Sequence, residues 1–163
     1  MRLWAVLAGF SLAAACAPLA PGASPPAAAD GAAIEKGVAD LLRDWSAAGA
    51  EGRWEDLKAL YADDPSFYWV EQGRIAYSGY ASVAAGVDQA AAMAAVISSS
   101  VDDIAVTPLG ADAATFRAQA TIAVSAAEFS FDFEGAFTGV AVRRDGRWRF
   151  LNGHLSKAEL PPQ

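Results

Sequence analysis

Cysteine occurs once in the 163 residues, as Cys16, and histidine once, as His154. One cysteine excludes an intrachain disulfide and a thiolate metal cluster. One histidine excludes a multi-histidine metal site, and no cluster of residues calls for a cofactor. Positive charge is also scarce: 12 Lys and Arg against 19 Asp and Glu leave a net charge of −7. Nucleic acid and anionic membrane surfaces both attract clustered Lys and Arg, so neither fits as an electrostatic partner. The basic residues that do gather, Arg143, Arg144, Arg147 and Arg149, flank a predicted tight turn at Asp145-Gly146 and read as a solvated hairpin. There is no Ser-His-Asp order, nucleotide-binding glycine loop or phosphate-binding motif. Apolar residues, in contrast, make up 54% of the chain, enough for one buried core, although alanine inflates that share.

The first 30 residues read as an address and a tether. Met1-Arg2 gives a short positive start, and Leu3 to Ala15 is an apolar run of signal-peptide length, too short to span a bilayer. Leu12-Ala13-Ala14-Ala15-Cys16 resembles the lipobox of bacterial lipoproteins, with Ala13 three places before the cysteine; the resemblance implies that Cys16 is lipidated. An ordinary secretory signal with an incidental Cys16 is the alternative. Ala17 to Ala29 is rich in Pro, Ala, Gly and Ser without apolar periodicity, the composition of a disordered linker. The expected organisation is a signal peptide over 1–15, a tether over 16–30 and one domain over 31–158, exported to the cell envelope as an outer-membrane or periplasmic lipoprotein.

Within that domain, Ile34, Val38, Leu41, Leu42 and Trp45 recur at helical spacing, predicting a helix over about 32–48 with Asp30 as its N-cap. Gly49 and Gly52 mark a turn, and a short helix carries Trp54, Leu57, Leu60 and Tyr61 up to Asp63-Asp64-Pro65. Ser66 to Val70, a Gln72-Gly73 turn and Arg74 to Ser78 form a hairpin. Val83, Val87, Ala90, Ala94 and Ile97 predict a third helix over about 80–97. The period then changes to two. A strand from Ile104 to Pro108 leads through Gly110-Ala111-Asp112 into the clearest alternation in the chain, Ala114, Phe116, Ala118, Ala120, Ile122 and Val124. Phe129, Phe131 and Phe133 continue it, and a shift of apolar parity to Val140 and Val142 predicts a bulge or bend near Gly135 or Gly139. The last strand, Arg147 to Ser156, places Trp148, Phe150, Asn152 and His154 on one face.

Three stretches in this order carry a resemblance. They are Trp54 to Asp64 with its Leu-Tyr-Ala-Asp-Asp end, Ile104 to Asp112 with Val-Thr-Pro-Leu-Gly, and Arg144 to Phe150 followed by His154-Leu155-Ser156. Together they resemble the SnoaL-like branch of the nuclear-transport-factor-2-like superfamily. The resemblance implies an α+β, cone-shaped fold: three helices in the N-terminal half, packed on a strongly curved, mixed and mostly antiparallel sheet around an apolar cavity. It implies no particular reaction, because function belongs to sites rather than folds.

The candidate ligand-binding residues are Trp69, Tyr77, Phe131, Phe133, Trp148, Asn152 and His154. His154 is the candidate catalytic base, with an ordinary pKa suited to the task. It competes with a purely structural role at a sheet edge. Asp132 and Glu134 alternate with Phe131 and Phe133 and are expected to face solvent, while Asp63 and Asp64 read as helix-end carboxylates. The leading functional expectation is a lipid-anchored domain that binds a small apolar molecule or a protein partner in its cone. The alternative is a small isomerase, dehydratase or hydrolase using His154 or a strand carboxylate as base. A homodimerisation module is a third reading.

Overall fold

The computed structural model describes residues 28–127 and 129–157. Cys16 and the segments assigned to the signal peptide and most of the tether lie outside them. Nine elements follow in chain order: α1 (Ala28–Ala50), α2 (Trp54–Ala59), β1 (Tyr68–Glu71), β2 (Arg74–Ser78), α3 (Tyr80–Ala92), β3 (Val96–Gly110), β4 (Ala113–Ala126), β5 (Phe129–Arg144) and β6 (Arg147–Lys157). The strands form one mixed sheet in the order β2-β1-β6-β5-β4-β3, antiparallel except where β1 runs parallel to β6. The α+β architecture expected from the sequence is the one observed.

The periodic face of α1 is buried as its spacing requires, with Ile34, Val38, Leu41 and Leu42 all sealed against the sheet. Asp30 lies inside the first turn rather than capping it, where its charge still complements the helix dipole. Ser46, the buried polar residue of this face, shares hydrogen bonds with the hydroxyl and carbonyl of Ser99 on β3. That satisfied pair pins the helix to the sheet edge. After α1, Gly52 adopts φ +65°, the left-handed conformation that ends helices, and the Arg53 N–H bonds back to the Ala48 carbonyl.

Three expectations need correction. The third helix stops at Ala92, not Ile97: Ala94 turns to positive φ, and Val96 onward pairs with β4. Alanines satisfy a helical pattern without demanding one, so the stripe is real through Ala90 and false at Ala94 and Ile97. β-Branched Val96, Ile97 and Val101, with Ser98 to Ser100 between them, prefer the strand. Pro108 does not end β3, which runs on to Gly110, because an edge strand tolerates a residue without an N–H. Finally, the irregularity expected near Gly135 or Gly139 does lie next to Gly139, but the extra residue is not on β5, whose pairing with β4 is continuous from Ala113 to Ala126. It lies on β6 at Leu151, where Val140 faces Asn152 but Ala141 faces Phe150.

That bulge matters for every residue after it. Phe150 is fully buried, and without the extra residue Asn152 and His154 would follow it inward. Instead Gly153 and Leu155 face the core, and His154 is exposed.

Candidate functional site

Between the helices and the sheet lies a cavity of about 290 Å³. Trp45 and Gly49 of α1 line it with Trp54 and Leu57 of α2; Val83, Gly86, Val87 and Ala90 come from α3. The sheet contributes Ile97, Ile122, Val124, Phe131 and Leu155, and the hairpin contributes Trp69, Glu71 and Tyr77. Tyr61, from the segment after α2, completes the wall.

Aromatic rings hold this wall in place. The Trp69 ring centroid stands 5.5 Å from that of Tyr61 and 6.1 Å from that of Trp45. The Trp45 indole N–H donates to the Tyr61 hydroxyl at 2.8 Å, so both polar tips are partnered. Burial pushes the Tyr61 phenol well above its ordinary pKa, against a smaller opposing effect from Trp45, and keeps it neutral. Tyr77 reaches the cavity because α3 has a glycine opposite it: a Cβ on Gly86 would stand 2.7 Å from the Tyr77 ring and hydroxyl.

Glu71 is the one Asp or Glu in the lining, which also contains no Lys, Arg or His among the described residues. It follows Trp69 by two places on β1, and strand alternation puts both side chains on the same face. Burial raises its pKa above the ordinary carboxylate value, with the Trp69 indole acting in the opposite direction. The Tyr77 phenol is raised too, first by burial and then by the neighbouring Glu71 charge. The cavity is therefore an apolar, largely aromatic chamber with a carboxylate and two phenol hydroxyls as its polar features.

Of the residues singled out in the sequence, Trp69, Tyr77 and Phe131 line this chamber. Phe133 is buried in the core without lining it. Trp148 packs over α1, where Gly37 leaves room for its indole, and Arg143 stacks on its ring at 4.8 Å. The Asn152 side chain accepts the Val140 N–H at 3.1 Å, closing the backbone beside the bulge. His154 is exposed and away from the chamber, as are Asp132 and Glu134. Asp64 accepts from the Ser66 N–H and hydroxyl and pairs with Arg144 at 3.3 Å; the Ser66 bonds are the main reason that its pKa is lowered. The sequence pattern ends the strand at Val70, one residue short of Glu71. One more step of the Trp69 alternation reaches it.

The model of the SnoaL-like domain matches residues 38–160. The chain belongs to the SnoaL-like domain family. A search of curated proteins gives no match. Among solved structures, this SnoaL-like domain is similar to a candidate scytalone dehydratase from Novosphingobium aromaticivorans, with TM-score 0.69 and 15% identity over 78% of this chain and 86% of that one. It is also similar to a candidate dehydratase of the nuclear-transport-factor-2-like family from Streptomyces avermitilis (TM-score 0.64, 20% identity, 77% and 97% covered). A third similar structure is a candidate calcium/calmodulin-dependent protein kinase II association domain from Xanthomonas campestris (TM-score 0.62, 23% identity, 86% and 98% covered). At these identities the likeness establishes the nuclear-transport-factor-2-like fold alone; two of the three are described as dehydratases and the third as an association domain.

Proposed function

We propose that this SnoaL-like domain binds a small, largely apolar molecule in the chamber between its helices and sheet. The observation that carries this reading is the chamber itself, walled by Trp45, Trp54, Trp69 and Phe131 and not filled by them. Binding removes apolar ligand surface from water at roughly 25 cal/mol per Å². The few polar groups then orient the ligand. A chamber of this kind supports a small-molecule occupant better than a protein partner, which needs a far larger contact area. Should the chamber host acid–base chemistry, Glu71 is the residue placed for it, not His154. Its neighbours in the lining are the Trp69 indole and the Tyr77 phenol, and the remaining wall is mostly apolar, which supports the binding reading first.

The test is a neutral fluorescent probe, N-phenyl-1-naphthylamine, titrated into the full chain. Its emission is expected to rise on binding, and Ala90→Trp, which puts an indole into the chamber, is expected to weaken binding at least ~10-fold. A folded Ala90→Trp protein that binds the dye as wild type does sinks the assignment.

The N-terminal sequence supports export and a lipid anchor at Cys16, with the domain tethered to a membrane facing the envelope space. Expressed in a bacterium that processes lipoproteins, the wild type is expected in the membrane fraction and Cys16→Ser in the soluble fraction. Equal partitioning of the two counts against the anchor.

A further inference from the structure

The chamber has an electrostatic asymmetry that an apolar ligand alone leaves unanswered. Its carboxylate, Glu71, is half-buried beside aromatic rings, and the lining supplies no cation to face it among the described residues. Arg74 lies opposite Glu71 in the hairpin register, yet its side chain is exposed, and burial rather than any neighbouring cation dominates the environment of Glu71. A carboxylate withdrawn from water without a counter-ion is costly, and a positively charged ligand group removes that cost. The surrounding rings act in the same direction, since the faces of Trp and Tyr attract cations and do so more strongly when water is excluded. The net charge of −7 draws cations toward the molecule and repels anions.

We propose that the chamber takes a compact organic cation, an alkylammonium or quaternary ammonium group on an apolar body, with its nitrogen at Glu71 between Trp69 and Tyr77. This rests on the ligand-binding reading above and names the chemical class of the ligand. The apolar body lies against Leu57, Val87 and Phe131, and the charged end meets the one group in the lining able to neutralise it. An anionic ligand of the same shape meets like charge and no donor from a basic side chain. A neutral one leaves Glu71 either bare or protonated.

The experiment compares benzyltrimethylammonium with neopentylbenzene, its uncharged isostere in which carbon replaces nitrogen. Binding of each to the full chain at neutral pH is followed by tryptophan fluorescence and calorimetry, in wild type and in Glu71→Gln. The cation is expected to bind wild type at least ~10-fold more tightly than the isostere. In Glu71→Gln that preference is expected to shrink to within about twofold while the isostere's affinity is retained. Equal or tighter binding of the isostere to wild type overturns the proposal, and so does a cation preference that survives in Glu71→Gln. The wild-type comparison stands even if the variant is unstable. A protein that takes the neutral dye but not the cation refutes the cation and leaves the chamber reading standing. Failure with dye, cation and isostere alike refutes both.

Discussion

Phe137→Ala is expected to destabilise the domain by about 3–5 kcal/mol, the range for truncating a fully buried aromatic residue. The reason lies in how many elements this one ring joins. Phe137 projects from β5 with no solvent exposure, and its centroid lies 4.9 Å from Phe116 of β4 and 5.7 Å from Phe150 of β6. On its other side it stands 5.1 Å from Trp45 of α1 and 5.5 Å from Trp69 of β1. Removing it therefore costs more than its own transfer free energy. The neighbours are large rings anchored to four different elements, and they cannot close over the void together. Against a total stability of roughly 5–15 kcal/mol for a domain, a large part of the fold's margin goes. Urea titration followed by circular dichroism measures it, and a loss below about 1 kcal/mol shows that the site collapses cheaply. Trp45 and Trp69 also line the chamber, so dye affinity is expected to fall in the same variant under conditions where it remains folded.

How much of this was legible beforehand depended on the range of the interaction involved. The buried face of α1 and the inward face of β4 were legible because local periodicity alone decides them: Ile34 to Leu42 recur at helical spacing, and Ala114 to Ile122 alternate without a break. The course of β3 was not, since alanines before it fit a helix and only pairing with β4 draws Val96 to Asp102 into the sheet. His154 shows the same limit more sharply. Its orientation depends on one extra residue, Leu151, accommodated against β5, and a single insertion reverses every side chain that follows. Glu71 was within reach of strand alternation. That it meets a cavity was not, because the opposing wall comes from α2 and α3, which no local pattern relates to β1. Aromatic character alone points to Trp69 and Tyr77, which line the chamber, and equally to Phe133 and Trp148, which pack elsewhere.

Gly153→Ala is expected to cost about 3 kcal/mol, the upper part of the range for overpacking a core. Gly153 sits in the middle of β6, paired in register with Trp69 of β1 on one side and Gly139 of β5 on the other. Its missing side chain is where the Trp69 indole lies: a Cβ there would be 2.6 Å from ring atoms Cε3 and Cη2, inside any real contact distance. The ring is only 2% exposed and packs on Trp45, Tyr61, Phe137 and Phe150, so moving off Gly153 breaks those contacts and pushes the indole into the chamber. A glycine covered by an aromatic ring in this way gives the sheet the contact that its own side chain would have made. Gly110→Ala supplies the control, for it makes the same change in a strand where nothing lies within 4 Å, and it is expected to be within about 0.5 kcal/mol of wild type. The decisive measurement is a double-mutant cycle with Trp69→Leu. If the clash with the indole is the cause, Gly153→Ala becomes much milder once the ring is gone, giving a coupling of about 1 kcal/mol or more. An undiminished penalty in the Trp69→Leu background assigns the cost to the strand backbone instead, and the seating of the chamber's central ring then needs another explanation.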